Sequence, residues 1–108
     1  MRSEPRKIDV ASTRASPRES AIVAGIVRAA KKIGFWSMKI HGGPFQRAGV
    51  PDILLIRDGR AYWIEAKRPG CYPTPIQSSV MRELERAGSR CTVATCAGDA
   101  VKFLTEFL

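Results

Sequence analysis

A chain of 108 residues has room for one domain around one core. With 44% hydrophobic and 26% charged residues it has the balance of a folded soluble domain. No run approaches the roughly 20 apolar residues of a membrane span. The N-terminus, MRSEPRKIDVASTRASPRES, also lacks the apolar stretch of a secretory signal, so an intracellular protein is expected. Eighteen Lys and Arg against ten Asp and Glu leave a net charge of +8, which favours a polyanionic partner, nucleic acid above all. The three cysteines, Cys71, Cys91 and Cys96, form no CxxC pair and have only His41 for company. Zinc-ligand spacing is therefore missing, and buried or half-buried reduced thiols are expected.

Residues 1–15 are polar, mixed in charge and non-periodic; they read as a flexible basic arm, and 16–108 as a single domain. Ser16-Pro17-Arg18-Glu19 announces a helix with Ser at the N-cap, Pro at the first position and Glu at the third. Ile22, Val23, Ile26, Val27 and Ile33 follow at helical spacing, Arg28, Lys31 and Lys32 gather towards the far end as a solvated basic face, and Gly34 stops the helix. Phe35 to Ile40 reads as a strand, and His41 to Gly49 as a glycine-rich loop. The aliphatic run Ile53 to Ile56 reads as a strand covered on both faces. Asp58-Gly59 is a hairpin signal with Arg60 to Lys67 as the return strand, and three prolines make 68–75 a loop. A helix from Pro75 or Ile76 to Ala87, a strand from Cys91 to Thr95 and a helix from Asp99 to Phe107 complete the chain. The order is αβββαβα, an α/β fold with a mixed sheet flanked by helices. Trp36 and Trp63 are expected in the core.

The hairpin carries the chemistry. A two-residue turn at Asp58-Gly59 pairs Arg57 with Arg60 and Ile56 with Ala61, and the same register sets Asp52 opposite Glu65. Cross-strand neighbours have Cβ atoms about 5 Å apart. Alternation puts Lys67 on the same face as Glu65. Two carboxylates at that spacing repel unless something offsets their charge, and they suit a hard divalent cation with oxygen ligands. With Lys67 beside an attacking water or a scissile phosphate, the set fits phosphodiester hydrolysis. The alternative is a strand-end cap at Asp52 and an exposed Glu65–Lys67 pair on an edge.

Gly49-Val50-Pro51-Asp52 and, after twelve residues, Glu65-Ala66-Lys67 resemble the PD-(D/E)XK nuclease signature. Glu19 in the first helix, Arg47 before the Gly-Val-Pro-Asp turn, Lys67-Arg68-Pro69-Gly70 after the strand and Thr74-Pro75-Ile76-Gln77 opening the next helix narrow the likeness. Together they resemble the VRR-NUC family, especially its small stand-alone members of phage type, over roughly residues 16–104; the Fanconi-associated nuclease carries such a module within a larger chain. The resemblance implies a restriction-endonuclease-like core, with Asp52 and Glu65 binding Mg2+ or Mn2+ and the Ala66 carbonyl as a further ligand. Lys67 is implied to orient or activate water, Glu19 to approach the metal directly or through water, and Gln77 to position substrate or water. The arginine after Lys67 adds charge at the mouth, and the Cys71-Tyr72 loop has no implied role.

Several of these residues have plainer alternatives. Glu19 can serve a capping box with Ser16, and Gln77 can be an ordinary polar residue of a first helical turn. Arg47 contacts phosphate or is a solvated cation. His41 is left out of the catalytic set but, with Lys39, Arg47 and Arg68, is a candidate nucleic-acid contact. The expected activity is a metal-dependent DNA endonuclease. So small a chain has little surface for gripping a long duplex, which suggests a homodimer with two sites, and family precedent points to branched DNA such as four-way junctions. No membrane and no organic cofactor are expected; for a phage-encoded chain the compartment is the host cytoplasm. The rivals are a same-fold nuclease acting on flaps, single strands or RNA, and a non-catalytic basic nucleic-acid-binding module.

Overall fold

The computed structural model describes residues 17–44 and 46–108. The N-terminal arm and Ser16 of the expected capping box lie outside the described residues. Helix α1 (Glu19–Lys32) is followed by strands β1 (Trp36–Lys39), β2 (Ile53–Arg57) and β3 (Arg60–Ala66). Helix α2 (Pro75–Arg86), strand β4 (Arg90–Ala94) and helix α3 (Ala97–Thr105) complete the order αβββαβα read from the sequence. The strands form one sheet in the order β1-β2-β3-β4, antiparallel at the first two junctions and parallel at the third. The parallel junction is where a helix is needed to carry the chain back, and α2 does so.

The hairpin forms as its dipeptide dictates. Asp58 and Gly59 both take positive φ, 52° and 75°, the pair of conformations that a tight two-residue turn requires. Arg57 pairs with Arg60, and the register runs unbroken to Ile53 opposite Ile64. Beyond it Ile40 N donates to the Asp52 carbonyl at 2.7 Å, and Lys67 N to the Ala94 carbonyl at 3.0 Å. The backbone at this end of the sheet is thus tied on both sides.

One face of the sheet carries the core. Ile22, Val23, Ile26 and Ala30 of α1 and Ala100 and Leu104 of α3 close over Ile53, Leu55, Tyr62, Ile64, Ala66 and Ala94. Ile26, Ile53, Leu55, Ile64 and Leu104 are fully buried, each contributing about 1.5–3 kcal/mol of burial. Tyr62 anchors an aromatic cluster, its ring meeting Phe35 edge-on at 5.5 Å and lying 5.2 Å from Phe107.

Several expectations are corrected. The first helix starts at Glu19, with Arg18 at the N-cap and no side-chain cap bond; Glu19 is therefore its first residue, not its third. The last helix begins two residues earlier than expected, at Ala97 with Cys96 as N-cap. Asp99 instead accepts from Thr95 N at 2.9 Å and Thr95 Oγ1 at 3.0 Å, tying the helix's first turn to the preceding strand end. Cys71 and Cys96 are exposed, since one lies in a loop and the other at a helix start, and only Cys91 is half-buried. Trp36 is 56% exposed and not core, while Trp63 is half-buried. Nor is β2 covered on both faces: Ile53 and Leu55 are buried, but Leu54 is half-buried and Ile56 36% exposed. Among the described residues the second face of the sheet receives only α2, whose one buried residue is Val80 and which packs on β4.

Candidate active site

Asp52 stands just before β2 and Glu65 near the end of β3, so the hairpin register places them across from one another. Gly49 shapes the approach. Its φ is +86°, and a Cβ there would lie 2.8 Å from the Ile76 carbonyl oxygen, so the loop can close on α2 only with glycine at this position. Asp52 Oδ2 accepts from Ala66 N at 2.9 Å, pinning the carboxylate against the end of β3.

Glu65 is 2% exposed, the one buried charged residue among those described. Its Oε2 lies 3.6 Å from Lys67 Nζ, and its Oε1 is buried without a hydrogen-bond partner. Burial first, then the Asp52 charge, raise the Glu65 carboxyl; Lys67 opposes them, Glu19 adds a smaller push, and the result is about 7 against an ordinary 4.5. The exposed-edge alternative for Glu65 and Lys67 is thereby removed, because both side chains are largely enclosed. The capping alternative for Asp52 holds in part, with one oxygen occupied by the Ala66 amide.

The remaining candidates take varied places. Glu19 is exposed at the start of α1, within electrostatic reach of Glu65. Among the described residues no three His, Cys, Asp or Glu side chains converge on a common metal position, so the close carboxylates are Asp52 and Glu65 alone. Gln77 belongs to a capping box that the sequence reading overlooked: its Oε1 accepts from Thr74 N at 2.9 Å and its own N donates to Thr74 Oγ1 at 3.3 Å. The Thr-Pro-Ile-Gln string carried that signal. Arg47 donates to both Glu83 oxygens at 2.7 and 2.8 Å, fastening the glycine-rich loop to α2. His41, Gln46, Arg47, Gly49 and Asp52 line a hollow of about 250 Å³ that reaches the first of the two carboxylates. A neighbouring one of about 450 Å³ runs past Lys39 and His41. The larger hollow of about 470 Å³, between Arg60 and Arg90, is at the opposite end of the sheet and takes no part in this site. Arg68 follows Lys67 at the mouth and is half-exposed.

With the fold and this corner described, the chain can be set beside known proteins. No protein-family model and no curated protein matches the sequence. A solved structure described as a VRR_NUC domain superposes with a TM-score of 0.70, over 83% of this chain and 97% of the other. The fold is that of a VRR_NUC domain. The two sequences share 18% identity, so the likeness lies in the arrangement of elements. The VRR_NUC architecture confirms the fold expected from the Gly-Val-Pro-Asp and Glu-Ala-Lys motifs, including its mixed sheet flanked by helices. None of its described helices is long and apolar enough to cross a membrane.

Proposed function

We propose that this chain is a divalent-metal-dependent nuclease that hydrolyses phosphodiester bonds in DNA. The observation that carries the reading is the buried Glu65 oxygen without a partner, beside a second carboxylate at Asp52. A buried charge in that condition is costly unless a cation completes it. Asp52, Glu65 and the Ala66 carbonyl would hold Mg2+ or Mn2+, and two carboxylates suffice because Mg2+ keeps several of its waters. Such a cation, when bound, polarises a phosphoryl oxygen and makes water a stronger nucleophile.

The chain's own groups supply the rest. Lys67, held against Glu65 at 3.6 Å, places a fixed positive charge where phosphate charge develops and orients the attacking water. Glu19 acts from the rim, through water. Gln77 keeps its amide N–H groups available to position substrate, because the cap occupies only its Oε1. His41 and Arg47 line the approach, Arg68 stands at its mouth, Lys39 adds a cation at the nearby edge of β1 on the sheet's other face, and the net charge of +8 supports a polyanionic substrate. The preferred substrate is branched DNA such as a four-way junction, cut by a homodimer that presents two sites about a two-fold axis. The VRR_NUC fold and the motif resemblance support this reading, and the same resemblance favours a phage-encoded chain acting in the host cytoplasm.

Cleavage of labelled four-way junction, flap and plain duplex by wild type and Lys67→Ala, with Mg2+ or Mn2+ and with EDTA, tests it. Cutting by wild type should require the cation and favour the junction. In Lys67→Ala cutting should fall by on the order of 100-fold or more while binding is kept. DNA binding undiminished by EDTA, with no substrate cut under any condition, would leave a non-catalytic basic module.

A further inference from the structure

The aliphatic run Ile53 to Ile56 gives β2 a second apolar face, and among the described residues that face is only partly covered. Trp36, Met38 and Ile56 are 56%, 44% and 36% exposed, respectively. They are neighbours: Trp36 pairs with Ile56, Met38 with Leu54, and Leu54 in turn with Trp63. Alternation therefore puts all five side chains on one face of β1, β2 and β3, away from α1 and α3. Helix α2 covers the same face only over β4.

The face carries no charge in its centre. Lys39 and Arg57 alternate to the other side, where Arg57 donates to the Ile33 carbonyl at 2.7 Å and lies 5.7 Å over the Phe35 ring. Nucleic acid would need cations here, and the sequence keeps them off. A second copy needs only the same apolar surface, because a two-fold axis sets each patch against itself. Trp36, Met38 and Ile56 alone expose on the order of 300 Å² of apolar side chain, the apolar centre of an interface that takes about 800 Å² per partner. The open edge of β1 adjoins it.

We propose that this face, centred on Trp36, Met38 and Ile56, is where a second copy of the chain docks. The inference rests on the homodimer of the proposed function and assigns its surface. Glu65 lies on the same face two residues beyond Trp63, so such a dimer carries both catalytic corners along one joint.

Sedimentation velocity on the full chain, from micromolar to sub-millimolar concentration, tests the assignment. Wild type should sediment at twice 11.9 kDa, and Trp36→Glu and Met38→Lys at 11.9 kDa with unchanged circular dichroism. Tryptophan emission of wild type should shift to the blue as protein concentration rises. A dimer that persists in both folded variants overturns the surface and leaves the dimer standing; if Trp36→Glu does not fold, Met38→Lys alone decides. A wild type that stays monomeric overturns surface and dimer together, while cation-dependent cutting is scored separately. A blue shift that needs anionic phospholipid vesicles at fixed protein concentration overturns it in favour of a membrane.

Discussion

Tyr62 and Glu65 stand three residues apart on β3 and are almost equally hidden, at 3% and 2% exposure, yet their surroundings are opposite. Tyr62 is packed by Phe35, Phe103 and Phe107 with centroids 5.5, 6.4 and 5.2 Å away. Glu65 has a carboxylate neighbour, one ammonium at 3.6 Å and an oxygen with no partner. The first residue is buried because every neighbour gains by it. The second is buried at a cost to stability, and a fold retains such a cost where function requires it. The largest expected effect therefore belongs to the aromatic cluster. Tyr62→Ala should cost about 3–5 kcal/mol, against a total that for a domain is about 5–15 kcal/mol. Urea unfolding followed by circular dichroism measures it; a loss below about 1 kcal/mol would mean that the cluster does not hold the core.

Glu65 should answer with the opposite sign. Its carboxyl is raised from 4.5 to about 7 in the folded chain. Between those values the folded state binds a proton that the unfolded state has released, so this group's contribution to stability declines as pH rises through the window and stays unfavourable above it. Glu65→Gln removes the charge and leaves an oxygen for Lys67. In EDTA the variant should melt several degrees above wild type at pH 8 and equal it near pH 4. Thermal melts at the two pH values check this. A wild type more stable than the variant at pH 8 without metal would show that Glu65 is satisfied as it stands. Added Mg2+ should narrow the gap by stabilising wild type alone.

These two regions were not equally legible in the sequence. The pairing expected to juxtapose Asp52 and Glu65 follows from Asp58-Gly59 and the two-residue period of a strand, both local properties, and it came out residue for residue from Arg57–Arg60 to Ile53–Ile64, the step next to the two acids. Tyr62 stood at an apolar strand position by the same alternation. The exposure of Trp36 and Ile56 could not be read, because an apolar side chain looks the same whether a helix covers it or nothing does. Which face α2 serves is decided by its packing on β4, a tertiary matter. The start of α1 was misplaced because Ser-Pro-Arg-Glu reads as a capping box from Ser16, whereas the helix begins after Arg18, a residue type that does not announce an N-cap. Long-range polar partners were also invisible: nothing near Arg47 in the chain announces Glu83, 36 residues away.

That last pair gives the smallest and most discriminating effect. Arg47 and Glu83 are both largely exposed, so solvent screens their attraction and Arg47→Ala should move the melting midpoint by only about a degree. The Arg47 guanidinium holds the Glu83 carboxyl below its usual range, so the pair persists as an ion pair at neutral pH. A DNA phosphate arriving along the loop offers Arg47 a second anion in place of Glu83. If the guanidinium makes that exchange, Arg47→Ala should weaken junction binding and lower the slope of log K against log salt by about one. Glu83→Gln should do the reverse, releasing the arginine and tightening binding, with cutting per bound complex unchanged. Fluorescence anisotropy across a salt series separates the outcomes. Equal affinity and equal slope in all three proteins would make Arg47 a clasp between the loop and α2, and leave phosphate recognition to Lys39 and Arg68.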